Sequence, residues 1–312
     1  MDYRGNSSRL IELLNKLMTS SLRLCVLIAV SLLAFAANSV LCRVALDGGL
    51  IDPANFTLWR LASGAATLIL LCLLKSLKQQ DTSLKTVWSE GSWLSAISLF
   101  IYAIGFSYAY VTLETGIGAL ILFGAVQLTL ILMAVSTGQK LRALEWLGLT
   151  LAFASFVYLV FPTLSSPSLI GFILMTFAGI AWGLYTWRGK ISSKPLFATT
   201  SNFIRTLPIL LVTLIIIGLN GEYQISGGTF DGILFAVVSG ALMSGIGYAL
   251  WYAVLPSISA SMAAVLQLLV PIIATIGGVI FASEAITLHL IIATCGVLGG
   301  VLLVILGKKK VH

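Results

Sequence analysis

The sequence repeats itself once, with an offset of 145 residues between the two copies. Arg43 and Arg60 in the first half recur as Arg188 and Arg205 in the second half, and the long apolar segments recur with the same offset. Solenoid repeats have periods of roughly 20–50 residues, so a repeat of this length favours duplication of a whole helical bundle. The chain is therefore expected to fold as two related halves.

The composition restricts the chain to one broad class of protein. Of its 312 residues, 59% are hydrophobic and only 9% are charged, and the mean hydropathy is +1.05. Soluble domains carry about 25% charged residues, so the composition predicts a multi-pass membrane protein in contact with lipid. The net charge of +7 does not indicate a nucleic-acid partner, because most basic residues lie in short stretches between apolar segments.

Ten segments are apolar and close to the length of about 20 residues that a spanning helix needs. The sequence predicts an all-α membrane protein with ten transmembrane helices in two inverted five-helix repeats, because an odd number of crossings reverses the second repeat. This arrangement is typical of secondary transporters. We place the first repeat at 22–161 and the second at 169–306, between an N-terminal segment 1–21 and a basic tail 307–312. The predicted spans are 22–44, 56–74, 93–113, 116–136, 144–161, 169–187, 201–219, 232–254, 261–281 and 288–306.

The positions of the basic residues predict the orientation of the spans. With the N-terminus inside, 15 of the 18 Lys and Arg residues fall in inner segments such as 75–85 and 188–194. The predicted outer loops carry acidic residues instead, among them Asp47, Asp52 and Glu284. Because cytoplasmic loops have an excess of Lys and Arg, both termini are predicted to be cytoplasmic.

The cysteines and the absence of catalytic motifs do not favour an enzyme. The four cysteines lie within apolar segments without paired spacing, so we expect small core residues and not disulfides or a metal site. The two histidines are not placed with carboxylates for metal binding. No GxSxG motif or pair of intramembrane aspartates is present. The sequence therefore predicts neither a metal nor a cofactor; the cysteines are Cys25, Cys42, Cys72 and Cys295.

Two arginines lie inside predicted spans. Arg60 and Arg205 are expected about one turn into their helices, roughly 6 Å along the axis. An arginine at the bilayer centre costs about 2.5–3.5 kcal/mol on insertion scales, and less when its side chain reaches the interface. Two interpretations remain open. Each arginine is either an interfacial anchor, or a gate or partner for a substrate carboxylate.

Several polar and aromatic side chains are candidates for a binding cavity. Asn38 is polar within an apolar segment, so it is expected to face a partner or water. Trp182 lies too deep for an interfacial belt, and Pro271 frees a backbone carbonyl that can face a cavity. Core packing or a belt position is the alternative for the aromatic residues. The candidate substrate-binding residues are Asn38, Tyr102, Gln127, Trp182, Tyr185, Tyr248 and Gln267.

The chain resembles the drug/metabolite transporter superfamily, and specifically its ten-helix EamA-type proteins. The resemblance extends from about residue 22 to 306. It rests on Phe56, Trp59 and Arg60 at the start of the second span, Phe203 and Arg205 in its partner, Ala181–Trp182–Gly183, Pro271, and Ser283–Glu284. Within the superfamily the chain looks most similar to YddG-type aromatic amino-acid exporters.

The resemblance implies a monomeric exporter of amino acids or similar small metabolites in the bacterial inner membrane. Its substrate would bind between the repeats near the bilayer midplane. Efflux of hydrophobic cations is an alternative, because aromatic rings bind cations on their faces. A membrane-embedded enzyme or scaffold is the alternative from another class. Since no acidic residue falls in the middle of a span, the sequence predicts facilitated transport without proton coupling.

Overall fold

The computed structural model describes residues 3–79, 84–138, 141–160, 169–219, 228–285 and 287–307. Within these ranges the chain is helical and contains no strand. The helices are α1 (Tyr3–Asp47), α2 (Pro53–Gln79), α3 (Leu84–Glu90), α4 (Trp93–Ala109), α5 (Thr115–Ser136), α6 (Ala143–Val160), α7 (Leu169–Gly189), α8 (Pro195–Leu219), α9 (Phe230–Val238), α10 (Gly247–Val254), α11 (Ala260–Gln267), α12 (Leu269–Phe281) and α13 (Leu288–Gly307). A π-helical segment, Ser239–Ile246, joins α9 to α10.

Seven helices of the described chain are long and apolar enough to cross a membrane. Two further apolar helices are shorter, at Trp93–Ala109 and Ala143–Ser155. The protein is therefore a multi-pass membrane protein. The long spans are Ser21–Asp47, Pro53–Leu77, Thr115–Met133, Leu169–Gly189, Pro195–Ile216, Phe230–Ser257 and Met262–Phe281.

The structure differs from the sequence-based boundaries in several places. Helix α1 already begins at Tyr3, and the short helix α3 was not expected. The predicted eighth span is widened by the π-helical segment. The predicted ninth span is divided at Leu268 into α11 and α12. Proline explains this break, because Pro271 has no N–H for the carbonyl of Gln267 four residues earlier.

The helix ends meet at two opposite ends of the bundle. At one, named here the Arg43 end, the Arg43 guanidinium donates to the Tyr110 carbonyl after α4, and Glu284 accepts from the Thr115 N–H at the start of α5. At the other, named here the Arg188 end, the Arg188 side chain at the end of α7 donates to Ser92 before α4. The helices therefore run alternately between the two ends.

Glycines bring the central helices into close contact. A Cβ atom at Gly240 in the π-helical segment would overlap the carbonyl oxygen of Arg60 in α2. A Cβ at Gly179 in α7 would overlap the carbonyl of Leu122 in α5. Helices α6 and α13 pack mainly on each other, at the side of the bundle. Most of the buried core residues come from α1, α2, α4, α5, α7, α8 and the segment from α9 to α12.

Candidate functional site

A buried arginine lies at the centre of the bundle. The Arg60 residue is only 1% exposed. Its Nη2 donates to the hydroxyls of Tyr102 and Tyr248, both at 2.7 Å, and its Nε donates to the Ser244 hydroxyl at 3.0 Å. Its guanidinium carbon lies 4.7 Å from the centre of the Phe106 ring, within cation–π distance. Arg60 therefore joins α2 to α4, to the π-helical segment and to α10.

The expected depth of the arginines was too shallow. Helix α2 begins at Pro53, so Arg60 lies seven residues in, about 10 Å along the axis. Helix α8 begins at Pro195, so Arg205 lies ten residues in, about 15 Å along the axis. The spans predicted from hydropathy began at 56 and 201, later than the helices themselves. They omitted the first turns because these turns contain polar residues, which are nevertheless helical.

The charge of Arg60 has no acidic partner among the described residues. No Asp or Glu oxygen there lies within 4.0 Å of the guanidinium, and its Nη1 has no hydrogen-bond partner. Buried charges are normally paired with an opposite charge. The three hydroxyls and the ring faces solvate this cation but do not neutralise it. The site therefore retains a net positive charge and a free donor.

Asn38 organises the polar groups around the arginine. Its Nδ2 donates to the Tyr248 hydroxyl at 3.2 Å, and its Oδ1 accepts from Ser239 at 2.6 Å and Ser244 at 3.3 Å. The π-helical segment supplies both serines, and π-bulges often occur at functional sites. The amide of Asn38 is thus satisfied inside the bundle and does not face lipid.

Aromatic rings cover the remaining sides of the arginine site. The Trp182 ring lies 4.5 Å from the Tyr248 ring and 4.9 Å from the Tyr102 ring between centres, and it stacks on Tyr185 at 5.4 Å. The indole N–H of Trp182 donates to Oε1 of Gln267 at 2.8 Å. We name this set the central cluster; its members are Phe35, Asn38, Arg60, Tyr102, Phe106, Trp182, Tyr185, Ser244, Tyr248, Trp251 and Gln267.

Two candidates lie outside the central cluster. Gln127 lines an apolar groove of about 290 Å³ between α5 and α6, together with Trp146 and Leu268. Arg205 lies towards the Arg188 end, where it donates to the Trp88 carbonyl of α3 at 2.7 Å and covers the Trp88 ring at 4.2 Å. The structure brings the other predicted residues together, namely Asn38, Arg60, Tyr102, Trp182, Tyr185, Tyr248 and Gln267.

Sequence reasoning missed four important members of the cluster. Phe35, Phe106, Ser244 and Trp251 were not singled out as binding residues. Three of them could have been found from helix periodicity, because residues three or four apart share one helix face. Phe35 precedes Asn38 by three residues, Phe106 follows Tyr102 by four, and Ser244 precedes Tyr248 by four.

The cysteine prediction was only half right. Cys42 and Cys72 are buried, as expected of small core residues, but Cys25 and Cys295 are exposed. All four are free thiols. An exposed cysteine on an apolar helix costs little, because the side chain is small and weakly polar. Apolar surroundings in sequence therefore do not distinguish core from lipid-facing positions.

The described acidic residues beyond Ser21 lie at helix ends and not in the cluster. Glu284, between α12 and α13, accepts from the backbone N–H and hydroxyl of Thr115 at 2.7 and 2.8 Å. Its Oε1 also lies 3.9 Å from Nε of Arg43, whose Nη2 contacts Asp47 at 2.7 Å. A carboxylate at a helix N-terminus is favoured by the helix dipole. Glu284 therefore links the segment between α12 and α13 to α5 and to α1 at the Arg43 end.

Comparisons with known proteins agree with this architecture. Residues 169–306 match the EamA-like transporter family. An uncharacterized protein of Pseudomonas aeruginosa is 41% identical over 283 residues, which are 91% of this chain and 94% of that protein. A protein of Archaeoglobus fulgidus described as an uncharacterized transporter is 25% identical over 70% of this chain and 79% of its own length. A solved crystal structure that covers 91% of this chain and 99% of its own has a TM-score of 0.68 at 18% identity, which shows a shared fold.

Proposed function

The chain belongs to the EamA-like transporter family, and from this premise we propose that it is a secondary transporter that exports amino acids, aromatic ones among them, by alternating access. The family is one of membrane transporters for small molecules. The buried, unneutralised charge of Arg60 carries the proposal of an amino-acid substrate. A substrate carboxylate would supply the missing negative charge and accept from Nη1, the free donor of the guanidinium.

The aromatic rings around Arg60 suit an apolar or aromatic side chain. The Trp182 ring lies 4.5 Å, between centres, from the ring of Tyr248, whose hydroxyl accepts from the guanidinium, and aromatic pairs contribute about 0.5–1.5 kcal/mol beyond their buried area. The same rings would also attract a hydrophobic cation. That alternative is weaker, because Arg60 already covers the Tyr102 and Phe106 rings and repels a second positive charge.

Matching contacts support the proposal of ten helices in two inverted repeats. Helix α4 packs on α7, as α1 packs on α10 with its π-helical segment, and α5 packs on α7 as α1 packs on α12. Each pair maps onto the other when the offset of 145 residues is applied. The alternating helix directions then bring α1 and α7 into the bilayer from opposite sides. Such a repeat relation allows one half to rock against the other.

The charges at the two ends support an orientation in the membrane. Lys75, Arg188, Lys190 and Lys194 lie at the Arg188 end, which we therefore place in the cytoplasm of a bacterial cell, with both termini. The Arg43 end carries Asp47, Asp52 and Glu284 and would face outward. We propose a monomer in the inner membrane, with lipid and the substrate as its partners.

Transport is proposed to be uniport. Proton-coupled transporters usually place a titratable Asp, Glu or His inside the membrane. Among the described residues no carboxylate contacts the central cluster, and His289 packs on Tyr158 at the start of α13, 4.1 Å between ring centres. Cellular synthesis would then supply the substrate gradient.

Uptake into liposomes tests the proposal. The purified protein is reconstituted, and a panel of amino acids is compared with the amines that have the same side chains but no carboxylate. We expect uptake of amino acids, fastest for aromatic ones, and little uptake of the amines. Arg60→Gln should lower amino-acid uptake at least tenfold, since charge-assisted hydrogen bonds contribute about 1.5–3 kcal/mol. Faster movement of the amines would favour cation efflux, and no flux of any solute would favour an enzyme or scaffold.

A further inference from the structure

A polar cavity opens at the Arg188 end, apart from the central cluster. Its volume is about 320 Å³. The segment between α3 and α4 forms one wall, the end of α7 and the following loop form another, and the start of α8 forms a third. We name it the vestibule. Its charged and polar lining includes Glu90, Ser92, Ser95, Arg188, Ser193 and Asn202.

Arg188 is held rigidly in the vestibule without an acidic partner. Its Nε donates to the Ser95 hydroxyl at 3.0 Å, and its Nη2 donates to the Ser92 hydroxyl at 3.1 Å. No carboxylate of the described chain lies within 4.0 Å of the guanidinium. Ser92 also caps the N-terminus of α4, whose dipole adds to the positive potential. A preorganised guanidinium of this kind suits a carboxylate.

Glu90 supplies a negative charge to the lining of the vestibule, opposite in sign to that of Arg188. Its carboxylate lies 3.5 Å from the ammonium of Lys194, and it also accepts from Ser193. Arg205 positions this part of the lining, since it donates to the carbonyl of Trp88 two residues earlier. The Lys194 side chain is 49% exposed, and exposed ion pairs are weak, so a substrate ammonium group can compete for Glu90. The vestibule thus offers an unpaired guanidinium and an accessible carboxylate in one cavity. This combination matches a zwitterion better than a simple anion or a simple cation.

Three aromatic rings separate the vestibule from Arg60. Tyr252 lines the vestibule and donates its hydroxyl to the Tyr185 carbonyl at 2.9 Å. Its ring lies 4.7 Å from the Tyr185 ring, which stacks on Trp182 at 5.4 Å. Trp182 and Tyr252 are each 2% exposed. The rings therefore close the path between the two guanidinium groups in this conformation.

We propose that the vestibule is a second, weaker binding site for the same zwitterionic substrate. The substrate carboxylate binds Arg188 and its ammonium group faces Glu90, before Tyr252, Tyr185 and Trp182 move aside and Arg60 takes over the carboxylate. This inference rests on the proposed function, because it assumes an amino-acid substrate. It adds a site at which substrate from the cytoplasm is selected before the central cluster opens.

Transport kinetics test the vestibule with L-phenylalanine as the probe. Arg188→Gln should raise the KM for movement from the Arg188 end about tenfold while kcat changes less than twofold, because the central cluster is intact. Lys190→Gln is the control: it removes the same charge two residues further along the chain, and Lys190 does not line the vestibule. If the wild-type protein transports L-phenylalanine and the two variants have equal KM values, the vestibule is not a binding site. The proposed function would then still stand.

A binding experiment separates the two sites. Equilibrium dialysis of detergent-solubilised Arg60→Gln with radiolabelled L-phenylalanine should show one weak site, and Arg60→Gln combined with Arg188→Gln should show none. Absence of binding to Arg60→Gln would mean that only the central site exists. If the wild-type protein transports no amino acid, the proposed function fails and the vestibule assignment fails with it.

Discussion

Nη2 of Arg60 donates to the hydroxyl of Tyr248 across 2.7 Å and thereby joins the first half of the chain to the second. The Tyr248 hydroxyl also lies 2.8 Å from that of Tyr102 and accepts from Asn38. These hydrogen bonds share atoms, so a movement of α10 relative to α2 changes all of them together. We expect this shared network to reorganise when substrate enters.

Arg60→Gln should not destabilise the protein, although it should abolish efficient transport. The variant removes a buried charge that no carboxylate compensates, and its amide can still donate to one of the hydroxyls. We expect an apparent Tm in detergent equal to or above that of the wild type. Arg205→Gln is the comparison, because it loses the 2.7 Å bond to the Trp88 carbonyl and the stacking on the Trp88 ring. A lower Tm for Arg60→Gln than for Arg205→Gln would contradict this account.

Trp182→Phe tests the indole N–H without removing the ring. The variant leaves Oε1 of Gln267 without its 2.8 Å donor, and an unsatisfied buried acceptor costs about 1–3 kcal/mol. Because this hydrogen bond also holds the indole beside Tyr248 in the proposed site, we expect transport per folded molecule to fall at least fivefold. Trp93→Phe is the control, since Trp93 is 50% exposed. Equal transport by both variants would make Trp182 a packing residue only.

Glu284→Gln should lower the stability of the protein but should not change the response of transport to a pH difference. Its neutral amide still accepts from Thr115 but loses the charge that interacts with the α5 N-terminus and Arg43, worth about 0.5–2 kcal/mol. Glu114→Gln is the matched control, because Glu114 precedes the same helix and makes no side-chain capping bond. We expect a lower Tm only for Glu284→Gln.

The same liposomes test uniport. With equal substrate on both sides, an imposed pH difference should drive no net accumulation by the wild-type protein. Accumulation that a protonophore abolishes would refute uniport. Its loss in Glu284→Gln or in Glu114→Gln would then identify the carboxylate that carries the proton.

Gly240→Ala should prevent the close contact of the π-helical segment with α2. The added Cβ would overlap the carbonyl oxygen of Arg60, and interior overpacking costs about 1–3 kcal/mol. We expect a lower yield of folded protein, measured by size-exclusion chromatography. Gly218→Ala is the control, because no atom lies within 4 Å of its added Cβ. A normal yield of Gly240→Ala would show that the two helices separate easily.

Thiol labelling in intact cells tests the orientation. All four native cysteines must be removed first, because they are free thiols and would complicate the labelling. Single cysteines then replace Lys78 near the end of α2 and Phe230 at the start of α9. An impermeant reagent should label Phe230→Cys only, since Lys78 is expected in the cytoplasm. The opposite pattern would invert the proposed topology. A cysteine at Ser226 would serve the same purpose, but this position lies outside the described residues.

Much of the architecture is predictable because membrane insertion depends on local hydropathy. Stretches of about 20 apolar residues form helices whatever their neighbours are, since lipid offers no other partners for backbone N–H and C=O groups. The central positions of Asn38, Tyr102 and Trp182 follow in the same way, because such side chains are disfavoured against lipid. The helix α3 was missed because hydropathy does not identify it. The freed carbonyl before Pro271 was expected, but the division of the ninth span into α11 and α12 was not.

The sequence by itself determined the class of protein, the approximate helices and the polar residues that avoid lipid. It could not distinguish Arg60 from Arg205, which occupy matching positions in the two halves. The tertiary structure surrounds Arg60 with hydroxyls from α4 and α10, whereas it places α3 over Arg205. The surroundings of a buried charge come from helices far away in sequence. The packing of those helices decides whether the charge lies in the central cluster, as for Arg60, or under a neighbouring helix, as for Arg205.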